Sequence, residues 1–304
     1  MRTGRDGKGQ IPYLDGLRAY SILNVLLAHS VEYLKRVSAV PWLATPAAKP
    51  FLLLFANGLL GVRVFFVLSG FLITNLLLEE LNKTGTISIA GFYGRRIARI
   101  FPAAYCYIGV LAALVSLHLM DMHWQPFVAA GTYTWNYTSL GRTASAGMLG
   151  HFWSLALEEQ FYLIWPTLLL FMGPQWAKKI AAGSIVLLPF VRVASYFLVP
   201  ASRMEIYMMF HTGADQIMWG ALAAFAYRDG ALDRINSIRN KRLIPWLCLF
   251  LVFVVCPIVE SWFRGGIIVT SPSIQGFSIV ILIFWLLSGR NGAARSVLGS
   301  RPAI

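Results

Sequence analysis

The sequence has little charge for its length. Only 13% of its 304 residues are charged and 57% are apolar, whereas soluble domains average about 25% charged and about 45–50% apolar residues. A water-facing surface needs more polar covering than this, so the composition excludes an ordinary soluble globular domain. Acidic residues are the scarcer kind, 13 against 26 lysines and arginines, which gives a formal net charge of +13.

Cysteines and well-known catalytic motifs are also scarce. The three cysteines, Cys106, Cys248 and Cys256, lie in apolar segments without metal-ligand spacing, and packing is the role that fits them. The sequence contains no Walker loop, Rossmann fingerprint, HExxH helix or Gly-x-Ser-x-Gly elbow. It therefore gives no support to a nucleotide-loop, zinc-protease or serine-hydrolase function, and we expect no metal.

Long apolar runs are what the sequence has in abundance. Runs of about 18 residues or more that are bounded by charge are typical of membrane-spanning helices. They predict an all-α polytopic membrane bundle, and residues 1–304 form a single domain because no loop is long enough to hold another. The eight predicted spans are 17–34, 56–78, 100–119, 152–172, 180–199, 207–227, 243–258 and 267–288.

The distribution of basic residues gives the bundle an orientation. With the N-terminus in the cytoplasm, roughly three lysines or arginines fall in inside segments for each one outside, as the positive-inside rule predicts. We therefore expect a multi-pass protein of the inner (cytoplasmic) membrane. The excess of positive charge is then explained by the orientation of the protein in the membrane. We expect the protein to have a lipid bilayer, and not nucleic acid, as its partner.

Charged residues in the first span are candidates for function, because each costs about 2.5–3.5 kcal/mol on insertion scales. Arg18 and His29 are eleven positions apart, which places them about 20° apart around a helix and ~16 Å apart along it. Asp15 lies one turn before Arg18 and can pair with it. The structural alternative is that Arg18 reaches the membrane surface and His29 bonds to a neighbouring helix.

Charge also gathers at the cytoplasmic start of the third span. Arg96 and Arg99 are i, i+3 neighbours, and Arg95 lies beside them. Paired guanidinium groups suit bidentate recognition of phosphate. Basic residues at this end of a helix also anchor topology or contact anionic lipid, so both interpretations stay open.

The fourth span carries two carboxylates. His151 and Glu158 are seven positions apart and share a helix face, while Glu159 points about 100° away. Carboxylates in an apolar helix line a cavity or find a partner. The structural alternative is an ion pair of either glutamate with Arg63 or Arg192.

Another histidine, His211, lies four residues before Asp215. The pair shares a helix face near the outer half of the sixth span. A structural pair is the favoured interpretation there.

Four stretches in this order and spacing resemble the acyltransferase family 3, integral membrane O-acyltransferases that modify surface sugars and related molecules. They are residues 14–19 leading to His29, 65–74, 93–102 and 151–162, and the resemblance covers roughly residues 10–230. It implies an Arg-x10-His motif, met by Arg18 and His29, and an Arg-x-x-Arg motif, met by Arg96 and Arg99. It also implies acyl-CoA, usually acetyl-CoA, as donor and a hydroxyl of a carbohydrate or lipid-linked glycan as acceptor.

These implications predict an acyltransferase of groups other than amino-acyl groups, with no bound cofactor. His29 is the expected general base, with a covalent acyl-His relay as the open alternative. Arg18 is expected to stabilise charge on the thioester oxygen or to line the path of the pantetheine arm. Glu158 would orient His29 or bind the acceptor sugar. The further roles are CoA-phosphate binding by Arg96, Arg99 and Arg95, and support by Asp15, Arg63 and His151.

The family usually has about ten spans, and residues 290–304 resemble the lead-in to its last helices. We therefore expect a domain that lacks those helices, and an inactive truncated membrane protein is one alternative. A proton-coupled transporter or permease is the other, because buried His, Glu and Arg also build proton relays. No internal repeat of the kind common in transporters is visible in the sequence.

Overall fold

A computed structural model describes residues 12–37, 39–138, 148–203, 205–237, 243–262 and 270–288. Within these ranges the regular structure is helical, and no strand occurs in them. The chain divides into two compact units. The first comprises Met1–Leu72 and Trp219–Ile304, and the second comprises Ile73–Met218.

The α-helices of the described residues are numbered in chain order. They are α1 (Pro12–Arg36), α2 (Lys49–Phe55), α3 (Gly58–Thr84), α4 (Ile89–Ser116), α5 (Gln125–Gly131), α6 (Phe152–Leu198), α7 (Phe210–Gly213), α8 (Asp215–Arg228), α9 (Ala231–Ser237), α10 (Ile244–Phe250), α11 (Cys256–Trp262) and α12 (Thr270–Leu287). A π-helical segment, Leu251–Val255, joins α10 to α11.

Several helices have the length and composition needed to cross a membrane. In the part of the chain that the structure describes, four segments qualify: Pro46–Thr84, Ile89–Ser116, Phe152–Leu198 and Thr270–Leu287. The prediction of an all-α membrane protein is thereby confirmed. Helix α1 covers the predicted span 17–34 but is not among the four, because its polar residues lower its hydropathy. The number of spans and the side of the N-terminus stay predictions.

Helix α6 contains the break that the sequence predicts between its fourth and fifth spans. Gly173 has φ +76°, a left-handed conformation that glycine adopts without steric cost. Pro174 follows it and cannot donate a backbone hydrogen bond. The 47-residue segment is therefore two helices joined at Gly173, which agrees with the predicted spans 152–172 and 180–199.

The first unit packs its helices closely through glycines. A side chain at Gly220 would stand 2.0 Å from the carbonyl oxygen of Val67, and one at Gly61 would stand 2.8 Å from that of Ser21. Such close approach is typical of membrane helices, where small residues let backbones meet. The apolar core between these helices comprises Leu14, Leu60, Val64, Val67, Leu68, Phe71, Ala223, Ala224, Val252, Ile279, Val280, Ile283 and Phe284.

The second unit has its own apolar core, formed by α4, α5 and the start of α6. Its members are Ala104, Leu111, Ala129, Ala130, Trp135, Leu149 and Phe152. Trp165 of α6 is buried and donates from Nε1 to the hydroxyl of Thr74 at 2.8 Å. Large apolar side chains such as Phe171 (80% exposed) and Leu198 (79%) face outward, as helices in contact with lipid require.

Candidate active site

The Arg-x10-His motif lies on one uninterrupted helix, α1, in the first unit. Leu14, Ser21 and Asn24 are buried and define the packed face of the helix. Asn24 accepts a hydrogen bond from the backbone N–H of Asn57 at 3.2 Å, which ties this face to the start of α3. The motif therefore lies on a helix whose rotation about its own axis is fixed by the packing of the adjacent face.

Arg18 and His29 lie at one border of the packed face of α1, because Leu14 is one turn before Arg18 and Val25, which meets α3 at Gly61, is one turn before His29. His29 is exposed, and so is Ile22, which lies between the two on the same side of the helix. The side chain of Arg18 is 31% exposed, and its Nη1 donates to Asp15 Oδ1 at 3.3 Å. The expected Arg18–Asp15 pair is therefore present. The exposed imidazole of His29, about three turns further along α1, can meet a substrate without rearrangement of the packed face.

Arg63 is another charged residue that the sequence singles out in the first unit. It is 4% exposed, and its Nη1 donates to Gln275 Oε1 of α12. This bond joins α3 to α12 across 212 residues of sequence. We assign Arg63 a part in holding this core together.

The three arginines of α4 divide into one that points inward and two that point outward. Arg96 is half-buried, and its guanidinium carbon lies 4.8 Å from the ring centroid of Tyr162 and 5.7 Å from that of Phe92. Arg95 and Arg99 are exposed, and Arg95 lies 3.9 Å from Glu80 Oε2. Because Arg95 and Arg99 are i, i+4 neighbours, they share the outer side of the helix.

The partners of Arg96 come from α6. The negative charges of Glu158 and Glu159 act on its guanidinium, and the ring of Tyr162 lies one turn further along the same helix. Glu158 is 5% exposed. Cation, carboxylates and aromatic faces thus form one cluster between the two helices, which we call the Arg96 cluster (Arg96, Glu158, Glu159, Tyr162).

Side-chain contacts fix α4 and α6 as antiparallel neighbours. The Tyr93 hydroxyl donates to the backbone oxygen of Leu163 at 2.7 Å, and the Tyr107 ring lies 5.4 Å from that of His151. Moving along α4 from Tyr93 to Tyr107 therefore corresponds to moving back along α6. His151 lies at the exposed end of this helix pair, and Glu158 lies about two turns further in.

Glu158, Glu159 and Gln160 point in three directions, because successive helical residues differ by about 100°. Gln160 exchanges two hydrogen bonds with the side chain of Asn136, at 2.9 and 3.0 Å, and also donates to the backbone oxygen of Tyr133 at 2.9 Å. It thereby fixes the segment that follows α5. Oε1 of Glu159 is buried and has no hydrogen-bond partner among the described residues.

Tyr133 is a site neighbour that the sequence does not reveal. It has φ +53°, stacks on Phe101 at 5.6 Å, and its buried hydroxyl has no hydrogen-bond partner among the described residues. Burial, followed by the charge of Glu159 and by Tyr105, raises the pKa of Tyr133 to about 12. The hydroxyl is therefore protonated at physiological pH and stands beside a carboxylate.

The other charged residues of the second unit form pairs that differ from those expected. Arg192 is buried in the second part of α6, and its Nη2 donates to Asp215 Oδ2 at the start of α8. The structural alternative named from the sequence, an ion pair of Arg192 with Glu158 or Glu159, is therefore replaced by a pair with Asp215. His211, expected to pair with Asp215, instead lies against Tyr137, with 3.2 Å between His211 Nδ1 and the tyrosine oxygen.

The described ranges contain no group of three or more His, Cys, Asp or Glu side chains placed to hold a metal ion. Cys106 is exposed, whereas Cys248 and Cys256 are buried.

Comparisons with known proteins point to one family. The acyltransferase domain (Acyl_transf_3) matches residues 11–301. The chain is 28% identical over 293 residues to a peptidoglycan O-acetyltransferase OatA of Listeria monocytogenes, covering 88% of this chain and 43% of that protein. It is 24% identical over 280 residues to an O-acetyltransferase OatA of Staphylococcus aureus, covering 86% of this chain and 43% of the relative.

The chain thus spans less than half the length of these curated relatives. No solved structure matches it significantly.

Proposed function

We infer the function from one premise: the chain belongs to the acyltransferase domain family. We propose that it is a membrane O-acyltransferase that moves an acyl group, in the simplest case acetyl, from acyl-CoA to a hydroxyl of a cell-envelope glycan. The similarity to a protein named as a peptidoglycan O-acetyltransferase supports a cell-wall polymer as the acceptor. The apolar helices support a location in the cytoplasmic membrane.

The observation that carries the proposal is the presentation of His29 on α1. It is an exposed imidazole on a helix whose adjacent face is packed, and it shares its side of that helix with Arg18. A general base must reach its proton, and an exposed histidine on a fixed helix can do so. Arg18 supplies a cation on the same side for charge that develops on the thioester oxygen.

In the proposed reaction one acyl group and one proton are transferred. The nitrogen of His29 takes the proton of the acceptor hydroxyl, whose oxygen attacks the thioester carbon. The new C–O bond forms, the C–S bond breaks, and the proton passes to the thiolate of CoA. Removal of a general base of this kind typically costs about 10²–10⁴-fold in rate.

The directions of the arginines refine the proposed donor site. Arg95 and Arg99 are exposed on one side of α4, where their guanidinium groups are free of the core and suit the CoA phosphates. Arg96 points into the cluster with Glu158, Glu159 and Tyr162. We therefore propose phosphate binding by Arg95 and Arg99, and a positioning role for Arg96 and Glu158.

The test uses membranes that contain the intact chain, radiolabelled acetyl-CoA and peptidoglycan fragments as acceptor. We expect ester-linked label on the glycan, released by mild base, and a loss of about 10²-fold or more with His29→Ala. His123→Ala, which removes an exposed histidine outside the motif, is the matched control and should keep the rate. No transfer by the intact chain, or equal transfer by His29→Ala, contradicts the proposal.

A further inference from the structure

Arg95 of the proposed donor site is exposed, yet its guanidinium is directed by neighbouring residues. Its Nη2 lies 3.9 Å from Glu80 Oε2, near the end of α3. The other oxygen of this carboxylate, Oε1, accepts a hydrogen bond from the backbone N–H of Ser88 at 2.8 Å. Glu80 is therefore held by the backbone through one oxygen and faces the guanidinium of Arg95 with the other.

The short connection between α3 and α4 holds Glu80 in place relative to α4. Gly85 directly follows α3 and has φ +74°, which allows the chain to turn there. At the other end of the connection, the Ser88 hydroxyl accepts a hydrogen bond from the backbone N–H of Gly91 at 3.2 Å and caps α4. Ser88 thus bonds to Glu80 through its backbone and to α4 through its side chain, so the carboxylate and the helix move together.

Gly91 leaves room for the guanidinium of Arg95. The two residues lie one helical turn apart on the same face of α4. A Cβ atom at Gly91 would stand 3.3 Å from Arg95 Nη1 and 2.8 Å from the hydroxyl oxygen of Ser88. The side chain of Arg95 therefore lies back over the first turn of the helix. At Gly94, in contrast, an added Cβ atom would meet nothing within 4 Å among the described residues.

The direction of an arginine matters when it binds phosphate, because the planar guanidinium donates its N–H groups in fixed directions. A side chain that is already oriented also loses less conformational freedom on binding. We propose that Glu80 and Gly91 are positioning residues, which orient Arg95 toward the phosphates of the acyl-CoA donor. This role rests on the proposed function and adds two residues to its donor site.

The test is isothermal titration of the intact purified chain with CoA and with pantetheine, the thiol-bearing arm of CoA without its phosphates. Gly91→Ala should raise the Kd for CoA at least threefold and leave the Kd for pantetheine unchanged. Gly94→Ala is the matched control on the same helix and should change neither. Ser88→Ala removes the cap of α4 and should lower the unfolding midpoint without changing the Kd for CoA.

A second variant tests the carboxylate. Glu80→Gln keeps an acceptor for the N–H of Ser88 and removes the charge that faces Arg95. It should raise the Kd for CoA at least threefold, and the KM for acetyl-CoA should rise with kcat unchanged. Tighter CoA binding would show that Glu80 competes with phosphate for Arg95 and would overturn the proposal, as would an unchanged Kd in Gly91→Ala.

The same measurements separate this role from the acyl transfer on which it rests. CoA binding that weakens in Gly91→Ala, in a chain that transfers no acetyl group, would support the positioning role and contradict the proposed reaction. The absence of CoA binding by the intact chain would overturn both.

Discussion

The helix α1 of the first unit and the α4–α6 pair of the second unit hold their charged residues in opposite ways. On α1 His29 is exposed, and Arg18 pairs with its own neighbour Asp15. Between α4 and α6 the cation of Arg96 lies against two aromatic rings and beside two carboxylates. Further along α6 the Arg192–Asp215 pair is almost completely buried.

This difference separates residues whose loss should affect chemistry from residues whose loss should affect stability. An exposed side chain with no tertiary contact contributes little to the free energy of unfolding. A buried ion that loses its partner leaves an uncompensated charge, which is strongly destabilising. Substitutions on α1 should therefore change the rate of transfer, while substitutions of the buried charges should change the free energy of unfolding.

The largest expected effect on stability is that of Asp215→Ala. It leaves the guanidinium of Arg192 buried and unpaired, and breaking such a pair costs about 3–5 kcal/mol. Thermal unfolding in detergent should show a large fall in midpoint, whereas Asp233→Ala, which removes an exposed carboxylate, should not.

Replacing both partners of this ion pair sharpens the same comparison. Arg192→Met with Asp215→Leu should recover most of the lost stability, because no buried charge remains. His29→Ala should leave the unfolding midpoint unchanged while lowering the transfer rate about 10²-fold or more. A fall in midpoint for His29→Ala as large as that for Asp215→Ala would remove the distinction between the two regions.

An intermediate effect is expected when the arginines of α4 are replaced. Arg95→Gln with Arg99→Gln should raise the KM for acyl-CoA about tenfold, equivalent to about 1.4 kcal/mol of binding free energy, with little change in unfolding. Arg96→Gln should instead lower the unfolding midpoint, because it removes the cation from its aromatic faces. Steady-state kinetics and thermal unfolding distinguish the two variants.

Lys83→Gln is the matched control for the arginine pair, since it removes an exposed cation nearby in the sequence. Its KM should equal that of the unmodified chain. An unchanged KM for the double arginine variant would leave Arg95 and Arg99 as topology anchors.

The smallest effect is expected for Tyr133→Phe. The buried hydroxyl has no hydrogen-bond partner among the described residues, so its removal should change stability by less than about 1 kcal/mol at pH 7. Its pKa of about 12 lies above the ordinary value of 10.0, so the unfolded chain ionises first as pH rises. The unmodified chain should therefore lose more stability than Tyr133→Phe between pH 10 and 12, measured by unfolding at each pH. Parallel pH profiles would contradict this.

The sequence predicts the end of a helix well where that end depends on residues adjacent in the chain. The break between the fourth and fifth spans is confirmed at Gly173, because Gly followed by Pro disfavours a regular helix wherever the chain packs. The start of α4 is less well predicted. The predicted membrane span begins at residue 100, because the arginines before it end the apolar run. The helix itself begins earlier, at Ile89, where the Ser88 hydroxyl accepts a hydrogen bond from the N–H of Gly91. Arginines end an apolar run without ending a helix.

The site is harder to predict than the helices, because its contacts join distant parts of the chain. Spacing alone places Arg96 and Arg99 on neighbouring positions, but only the ring of Tyr162 shows which of them points inward. Tyr133 follows a short helix and carries no motif, so only its neighbour Phe101 and the nearby carboxylate reveal it. The partner of Arg192 is likewise fixed by tertiary packing and could not be chosen from sequence.

The π-helical segment Leu251–Val255 has a consequence for how the chain tolerates changes in length. It holds an extra residue within a helix that otherwise continues from α10 into α11. Deleting one residue there would let the turn close to regular α-helical pitch, while the same deletion inside α12 would rotate every later side chain by about 100°. Among the described residues of the first unit, the segment from α10 to α11 is therefore one where a one-residue deletion should be absorbed.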